Sequence, residues 1–370
     1  MGRVYFESAQ LVIFANTEGV SSIMKRGSPI YHIIGILGVA MLVAGCSGGT
    51  AADPSQSLPQ SATAVSSREG GQGTQPRFHK SWMAPDAKKD DLIYVSDPGD
   101  AESVFVYSWP QGQAKGTLTG FDRPSGLCVD GKGNVFVTNL DSGTISEFAH
   151  GGTSPIATLS DPDGYPNGCS YDKKTGNLAV TNLGSPPSGP GSVAIYNHAS
   201  GSPKYYTGSD VVTFYFCGYD NRSNLFVDGE PSAGSGFAFA ELPKGKKTFT
   251  NLTLNQSFHN PAGVQWDGKY LAVGDAGDGY AGGGGIYEFS ISGSTGTEVG
   301  STPLSDAVWV GQFWIQGKKV AIPNTFYSPS NGWQGNVLLY KYPAGGTSTK
   351  TINGYVYNYT PDGATVSLRR

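Results

Sequence analysis

Basic clusters, histidine and long apolar runs are all scarce in this chain, and each shortage removes a class of function. Charged residues make up 15% of the 370, and no Lys/Arg cluster interrupts residues 77–370. Nucleic acid is therefore not an expected partner, because phosphate recognition needs a concentrated cationic face. Of five histidines, His79, His150, His198 and His259 follow position 46, and they are widely spread. His150 and His198 fall at corresponding outer-strand positions, far from any central axis, so no three-histidine metal site is expected. The four cysteines show no zinc spacing, and there is no Ser-His-Asp set or nucleophile elbow. The longest apolar run, Ile30–Ala44, falls short of the roughly 20 residues that span a bilayer.

What the chain has is glycine (54), proline (23) and tyrosine (20). This composition suits many short strands joined by tight turns and argues against long helices. Hydrophobic content of 38% is ample for a core at this length.

The amino-terminal segment reads as an address. Lys25 and Arg26 precede the apolar run, which ends in Leu42-Val43-Ala44-Gly45-Cys46. A positive start, a short apolar stretch and small residues at the end describe a secretory signal peptide over 24–45. The last five residues resemble the bacterial lipobox, which implies lipidation at Cys46 and an extracytoplasmic domain anchored to a bacterial cell membrane, inner or outer. Residues 1–23 precede Met24 awkwardly and are expected to be a non-native extension. Residues 46–76 are rich in Ser, Gly, Gln, Ala and Thr and too poor in large apolar groups to build a core. They read as a tether with a root-mean-square reach of roughly 30 Å. The formal charge is −4 overall and −5 beyond residue 45.

Residues 77–370 carry a repeat. Pro124-Ser-Gly-Leu-Cys-Val-Asp-Gly-Lys-Gly-Asn-Val-Phe-Val-Thr-Asn139 matches Pro166-Asn-Gly-Cys-Ser-Tyr-Asp-Lys-Lys-Thr-Gly-Asn-Leu-Ala-Val-Thr-Asn182, and both read as strand, turn, strand. Variants begin at Phe216, Pro261 and Val310. The second strand ends at 97, 139, 182, 229, 275 and 324, a period of 42 to 49 residues. Aromatic third strands follow, such as Val104–Trp109 and Val337–Pro343, and then short fourth strands. This period fits four-stranded propeller blades. The first copy begins mid-repeat at Leu92, and the missing inner strand appears at Pro361–Ser367. The expectation is an all-β, six-bladed β-propeller, closed when the carboxyl-terminal strand completes the first blade.

These copies resemble the NHL repeat over residues 91–368. That likeness implies a propeller and leaves function open, since such scaffolds serve many roles. A fainter resemblance is to the calcium-dependent lactonases of the SMP-30 type. In those proteins polar residues at the inner-strand starts hold a metal over the channel. Asn167 and Asp362 match two of that family's motif positions, with Ser125 at the corresponding place between them. The resemblance thus implies a calcium site at Ser125, Asn167 and Asp362. The family's amino-terminal Glu ligand has no counterpart here, and Ala262 stands at another of the positions. No other cofactor is expected.

Other residues read as structural. Asp130, Asp172, Asp220 and Asp267 sit in hairpin turns. Asp97, Asn139, Asn182, Asp275 and Asn324 end second strands and are expected to hydrogen-bond the next loop. Cys128 and Cys169 lie on adjacent inner strands, where a bridge and free buried thiols are both compatible with the spacing. The loops after the second strands lengthen late in the chain, the last being Thr325–Gly335. Long loops on a rigid scaffold tend to carry function. Phe326, Tyr327, Trp333 and Tyr280 are accordingly the candidate ligand contacts, with Phe258 and Trp309 nearby. The reading favoured by these residues is a non-catalytic scaffold that binds a protein or envelope glycan. The alternative is a metal-dependent, lactonase-like hydrolase at the channel mouth.

Overall fold

The computed structural model describes residues 80–99, 101–185, 189–231, 236–277, 284–330, 332–353 and 360–370. Six antiparallel sheets follow one another along the chain and form a six-bladed β-propeller. Blade 2 shows the plan: Pro124–Val129 innermost, then Val135–Asn139, Thr144–Phe148 and Pro155–Ser160. The second strands read Leu-Ile-Tyr-Val-Ser-Asp, Val-Phe-Val-Thr-Asn, Leu-Ala-Val-Thr-Asn and similar runs, and they are buried throughout. A strand packed on both faces needs a continuous apolar sequence of this kind rather than alternation. The outermost strand of blade 2 is mostly exposed, as its Pro-Ile-Ala-Thr-Leu-Ser sequence permits.

Blade 1 closes the ring. Ala364–Ser367 pairs antiparallel with Leu92–Val95, in register Leu92 to Ser367 and Val95 to Ala364. The last strand therefore supplies the inner strand missing at the start of the repeat, and no inner edge is left open. Ser367 Oγ donates to the Gly133 carbonyl of blade 2 at 2.6 Å, and His150 Nδ1 lies 2.7 Å from Ser367 Oγ. These contacts fasten the closing strand to the next blade.

Inner strands of neighbouring blades lie against one another around the ring. In blades 2 to 5 each inner strand carries an extra residue at the same place, as when Ser125 and Gly126 together oppose Thr138. This bulge turns one side chain towards the channel mouth, while the next residue faces the adjacent blade. Blade 4 carries Phe216 at this second position, but in blades 2 and 3 only glycine fits: a Cβ on Gly126 would meet the Asn167 carbonyl at 2.3 Å, and one on Gly168 the Tyr215 carbonyl at 2.7 Å. The recurrent Pro-x-Gly of the repeat records this close approach.

Three features depart from the regular plan. Trp82–Met83 adds a strand outside blade 1, pairing with Gly116 and Thr117. Thr253–Leu254 runs parallel to the outer strand of blade 5, so the chain passes directly from the outer edge of blade 4 to that of blade 5. In blade 6, Thr325–Gly335 is largely a hairpin extension rather than an irregular loop. Lys319–Ser328 and Gly332–Lys341 remain paired out to Ser328 and Gly332. The aromatic residues there, Phe326, Tyr327 and Trp333, favour strand pairing.

The bridge that the spacing left open is present: Cys128 and Cys169 form a disulfide between blades 2 and 3, with Cα atoms 5.7 Å apart. Cys217 is a buried free thiol, its pKa pushed far up chiefly by desolvation. Among the described residues no helix is long and apolar enough to cross a membrane.

Candidate functional site at the channel mouth

The bulged position of each inner strand defines the mouth: Asp362, Ser125, Asn167, Tyr215, Ala262 and Gly311 in ring order from blade 1 to blade 6. The three residues singled out from the sequence come together. Ser125 Oγ lies 2.9 Å from Asn167 Oδ1 and also hydrogen-bonds the Asp362 carboxylate. Asn167 is held in one orientation because its Nδ2 donates to the Tyr215 carbonyl at 2.8 Å. Its Oδ1 therefore faces Ser125.

A proton count constrains this cluster. Asn167 Oδ1 and an ionised Asp362 are both acceptors, and Ser125 has one proton to give. The remaining oxygen–oxygen contact is satisfied only by a proton on Asp362 or by a cation. Burial pushes the Asp362 pKa up, opposed by the Ser125 hydrogen bond and the Arg123 charge.

The other half of the mouth is different. Tyr215 OH reaches Glu230 Oε1 at 3.4 Å, and its pKa is raised by burial and then by Glu230, Asp228 and Asp362. Ala262 and Gly311 bring no side-chain oxygen. Gln312 spans the inner wall, its Oε1 accepting the Leu127 amide at 2.8 Å. Ser125, Asn167 and Asp362 thus offer four side-chain oxygens at most, where Ca²⁺ takes six to eight. Among the described residues there is no group of three His, Cys, Asp or Glu that could hold a metal.

On the same face, away from the axis, the blade 6 hairpin carries the candidate aromatic contacts. Tyr327 and Trp333 are directly paired across the strands, with ring centroids 5.6 Å apart and planes at 71°. Tyr327 is 62% exposed, while Phe326 and Trp333 are half-buried. Tyr280, Cys46 and His79 lie outside the described residues. Phe258 does not join the hairpin. It stacks on Phe237 at 4.2 Å and 11° between blades 4 and 5. These rings help line a cavity of about 490 Å³ that sequence reasoning missed, together with Asp210, Asn251 and Gln256. The cavity arises where the two-residue outer strand Thr250–Asn251 ends and the chain crosses to blade 5.

The remaining acids and amides act locally. Asp130 Oδ1 accepts the Lys132 and Asn134 amides at 2.7 Å each, closing its turn. Asn324 Oδ1 accepts the Val308 amide at 2.7 Å, and Asp275 Oδ1 takes those of His259, Asn260 and Gly277. His150 bonds Ser367 and the Asp90 carbonyl, and His259 bonds Asp275, so the two do not converge.

No protein-family model matches the chain, and no curated protein resembles it closely enough to register. Solved structures do. One is the crystal structure of a nidogen/laminin complex, where a chain is similar at 13% identity with a TM-score of 0.58, over 76% of this chain and 99% of that one. Another is a protein of unknown function from Bacteroides caccae, at 12% identity and a TM-score of 0.55, over 76% and 100%. Likeness at this identity defines the class, a six-bladed propeller, and nothing finer.

Proposed function

We propose that this chain is a non-catalytic binding module that takes a protein or envelope-glycan ligand on the face bearing the channel mouth. The observation that carries the reading is the blade 6 hairpin: two ten-residue strands project an aromatic pair, Tyr327 and Trp333, with Tyr327 62% exposed. Large rings presented on a rigid element serve as anchors in recognition. The Phe237–Phe258 cavity on the same face offers a second contact of like chemistry. The Leu-Val-Ala-Gly-Cys46 sequence and the polar stretch behind it support a lipid-anchored, extracytoplasmic setting, and the repeat pattern supports an NHL-like origin of the blades. The nidogen propeller is recorded in a complex with laminin, so a propeller of this class can serve in protein binding.

The test compares Trp333→Ala and Tyr327→Ala with the parent chain in capture of envelope extracts and in glycan-array binding. Loss of a ligand that the parent retains supports the hairpin. Unchanged capture by both variants removes it from the site.

A second reading is a metal-dependent, lactonase-like hydrolase. One observation favours it: Ser125, Asn167 and Asp362 converge at the mouth. The oxygen count and the absence of side-chain donors at Ala262 and Gly311 weigh against it.

A further inference from the structure

Among the described residues, five of the six outer blade edges are covered, charged or short. In blade 1 the added strand Trp82–Met83 covers the outer strand Ala114–Leu118. In blade 5 Thr253–Leu254 covers one end of Thr295–Pro303. The rest of that strand carries Glu298, whose amide is taken by Asn255 Oδ1 at 2.7 Å, and its Pro303 carbonyl accepts the Gly346 amide of blade 6 at 2.9 Å. The outer strands of blades 3, 4 and 6 are short, Lys204–Tyr206, Thr250–Asn251 and Lys350–Asn353, and two of them begin with lysine. Such edges resist pairing with another chain.

Blade 2 is the exception. Its outer strand Pro155–Ser160 is six residues long, exposed at every position except Leu159, and no described strand pairs with its outer side. Ile156 is 57% exposed, and no charged side chain stands between His150 and Asp161. The inner ladder fixes which backbone groups face out. Asp161 donates its amide to the Gly143 carbonyl at 2.8 Å, one residue beyond the pair Thr144–Ser160. Hydrogen-bonded pairs alternate in an antiparallel ladder, so Leu159 bonds Ile145 while Thr158 and Ser160 turn their amides and carbonyls away from the blade. The Ser160 carbonyl accepts the Tyr196 hydroxyl at 2.9 Å and keeps a second lone pair. Ile156 is the extra residue of a bulge, so the regular alternation runs over residues 157–160.

We propose that this edge joins two copies of the chain, their blade 2 outer strands pairing antiparallel about a two-fold axis into one continuous sheet. Thr158 of each copy lies opposite Ser160 of the other. Each Thr158 amide donates to the opposing Ser160 carbonyl, and each Ser160 amide to the opposing Thr158 carbonyl. The segment is thus complementary to itself, donor for acceptor, which is what a two-fold contact between identical chains requires. The chain is net acidic, so identical copies meet at least cost where neither presents a charge. Trp82–Met83 and Thr253–Leu254 show that outer edges of this propeller accept an added strand. A pairing this short buries less than a standard interface, so the dimer is weak and its population rises with concentration. It occupies the rim and is separate from the ligand face proposed above.

The experiment measures the mass of the full chain in detergent by sedimentation velocity over a wide concentration range, with amide exchange at Thr158 and Ser160 followed at both ends of it. The parent is expected to pass from monomer to dimer as concentration rises, and the two amides to gain protection with it. Thr158→Pro deletes an outward amide and leaves the bonds to Thr144–Phe148 in place, since proline is tolerated where an edge amide faces solvent. It removes two hydrogen bonds per dimer, so self-association is expected to weaken at least about tenfold while the melting temperature changes little. Ile156→Lys sets a charge on the edge without altering the backbone; it is expected to weaken association too, and decides the matter if the proline variant does not fold. A parent that stays monomeric at every concentration overturns the proposal and leaves the edge to a strand of another protein. A dimer that survives both variants unchanged overturns it as well, as does one in which the two amides exchange as fast as in the monomer.

Discussion

Ser125 Oγ stands 2.9 Å from Asn167 Oδ1 and hydrogen-bonds Asp362, so residues 237 positions apart in sequence meet across the junction of blades 1 and 2. The contact exists because the last strand returns to complete the first blade. Deleting residues 361–370 removes both Asp362 and the partner of Leu92–Val95. The expected outcome is loss of cooperative unfolding, read by denaturant titration. A single transition with unchanged slope contradicts the closure.

In blades 1, 2, 3 and 5 the residue after the channel-facing one is glycine, and it sets how closely those blades pack. Gly126→Ala would bring a Cβ to 2.3 Å from the Asn167 carbonyl and 2.7 Å from Gly168 Cα, both backbone atoms with no freedom to swing away. A cost of about 1–3 kcal/mol is expected, the usual range for overpacking. Gly131→Ala, which meets nothing within 4 Å, is the control and is expected to change stability little. Equal effects in urea unfolding contradict the packing account.

The Cys128–Cys169 bridge closes a loop of 41 residues in sequence separation. Chain-entropy arguments give about 2–4 kcal/mol for such a cross-link. The double variant Cys128→Ser/Cys169→Ser is expected to unfold earlier by that amount, with or without reductant. Cys217 is buried with its pKa far up, so it should resist thiol reagents until the protein unfolds. Rapid labelling of the native chain contradicts its burial.

Much of this fold was legible in the sequence because most blades repeat the same local solutions. Pro-x-Gly marks the bulge and close approach, Asp-x-x-Gly or its variants the turn, and the terminal Asp or Asn of the second strand the loop bond. The convergence of Ser125, Asn167 and Asp362 was legible for the same reason, since equivalent positions of a ring must share one face. What the sequence hid were departures from the repeat. The parallel strand Thr253–Leu254 has no turn signal of its own, and the cavity it helps create depends on where blade 4 stops.

The hairpin pair gives a prediction that separates recognition from packing. Trp333→Ala removes one ring of a half-exposed cross-strand pair, an interaction of about 0.2–1 kcal/mol. The melting temperature is therefore expected to fall only slightly while ligand capture weakens. A large loss of stability would mean that the ring serves packing rather than recognition.

The central claim, binding rather than metal-dependent hydrolysis, is tested most directly by thermal unfolding of the full chain in EDTA and then in millimolar Ca²⁺. A specific ligand at 100 times its Kd adds about 2.7 kcal/mol to stability. The account predicts no Ca²⁺-dependent shift, because Ser125, Asn167 and Asp362 supply four side-chain oxygens at most where calcium takes six or more. A clear rise that disappears in Asn167→Ala and Asp362→Ala would contradict it and place a calcium ion at the mouth.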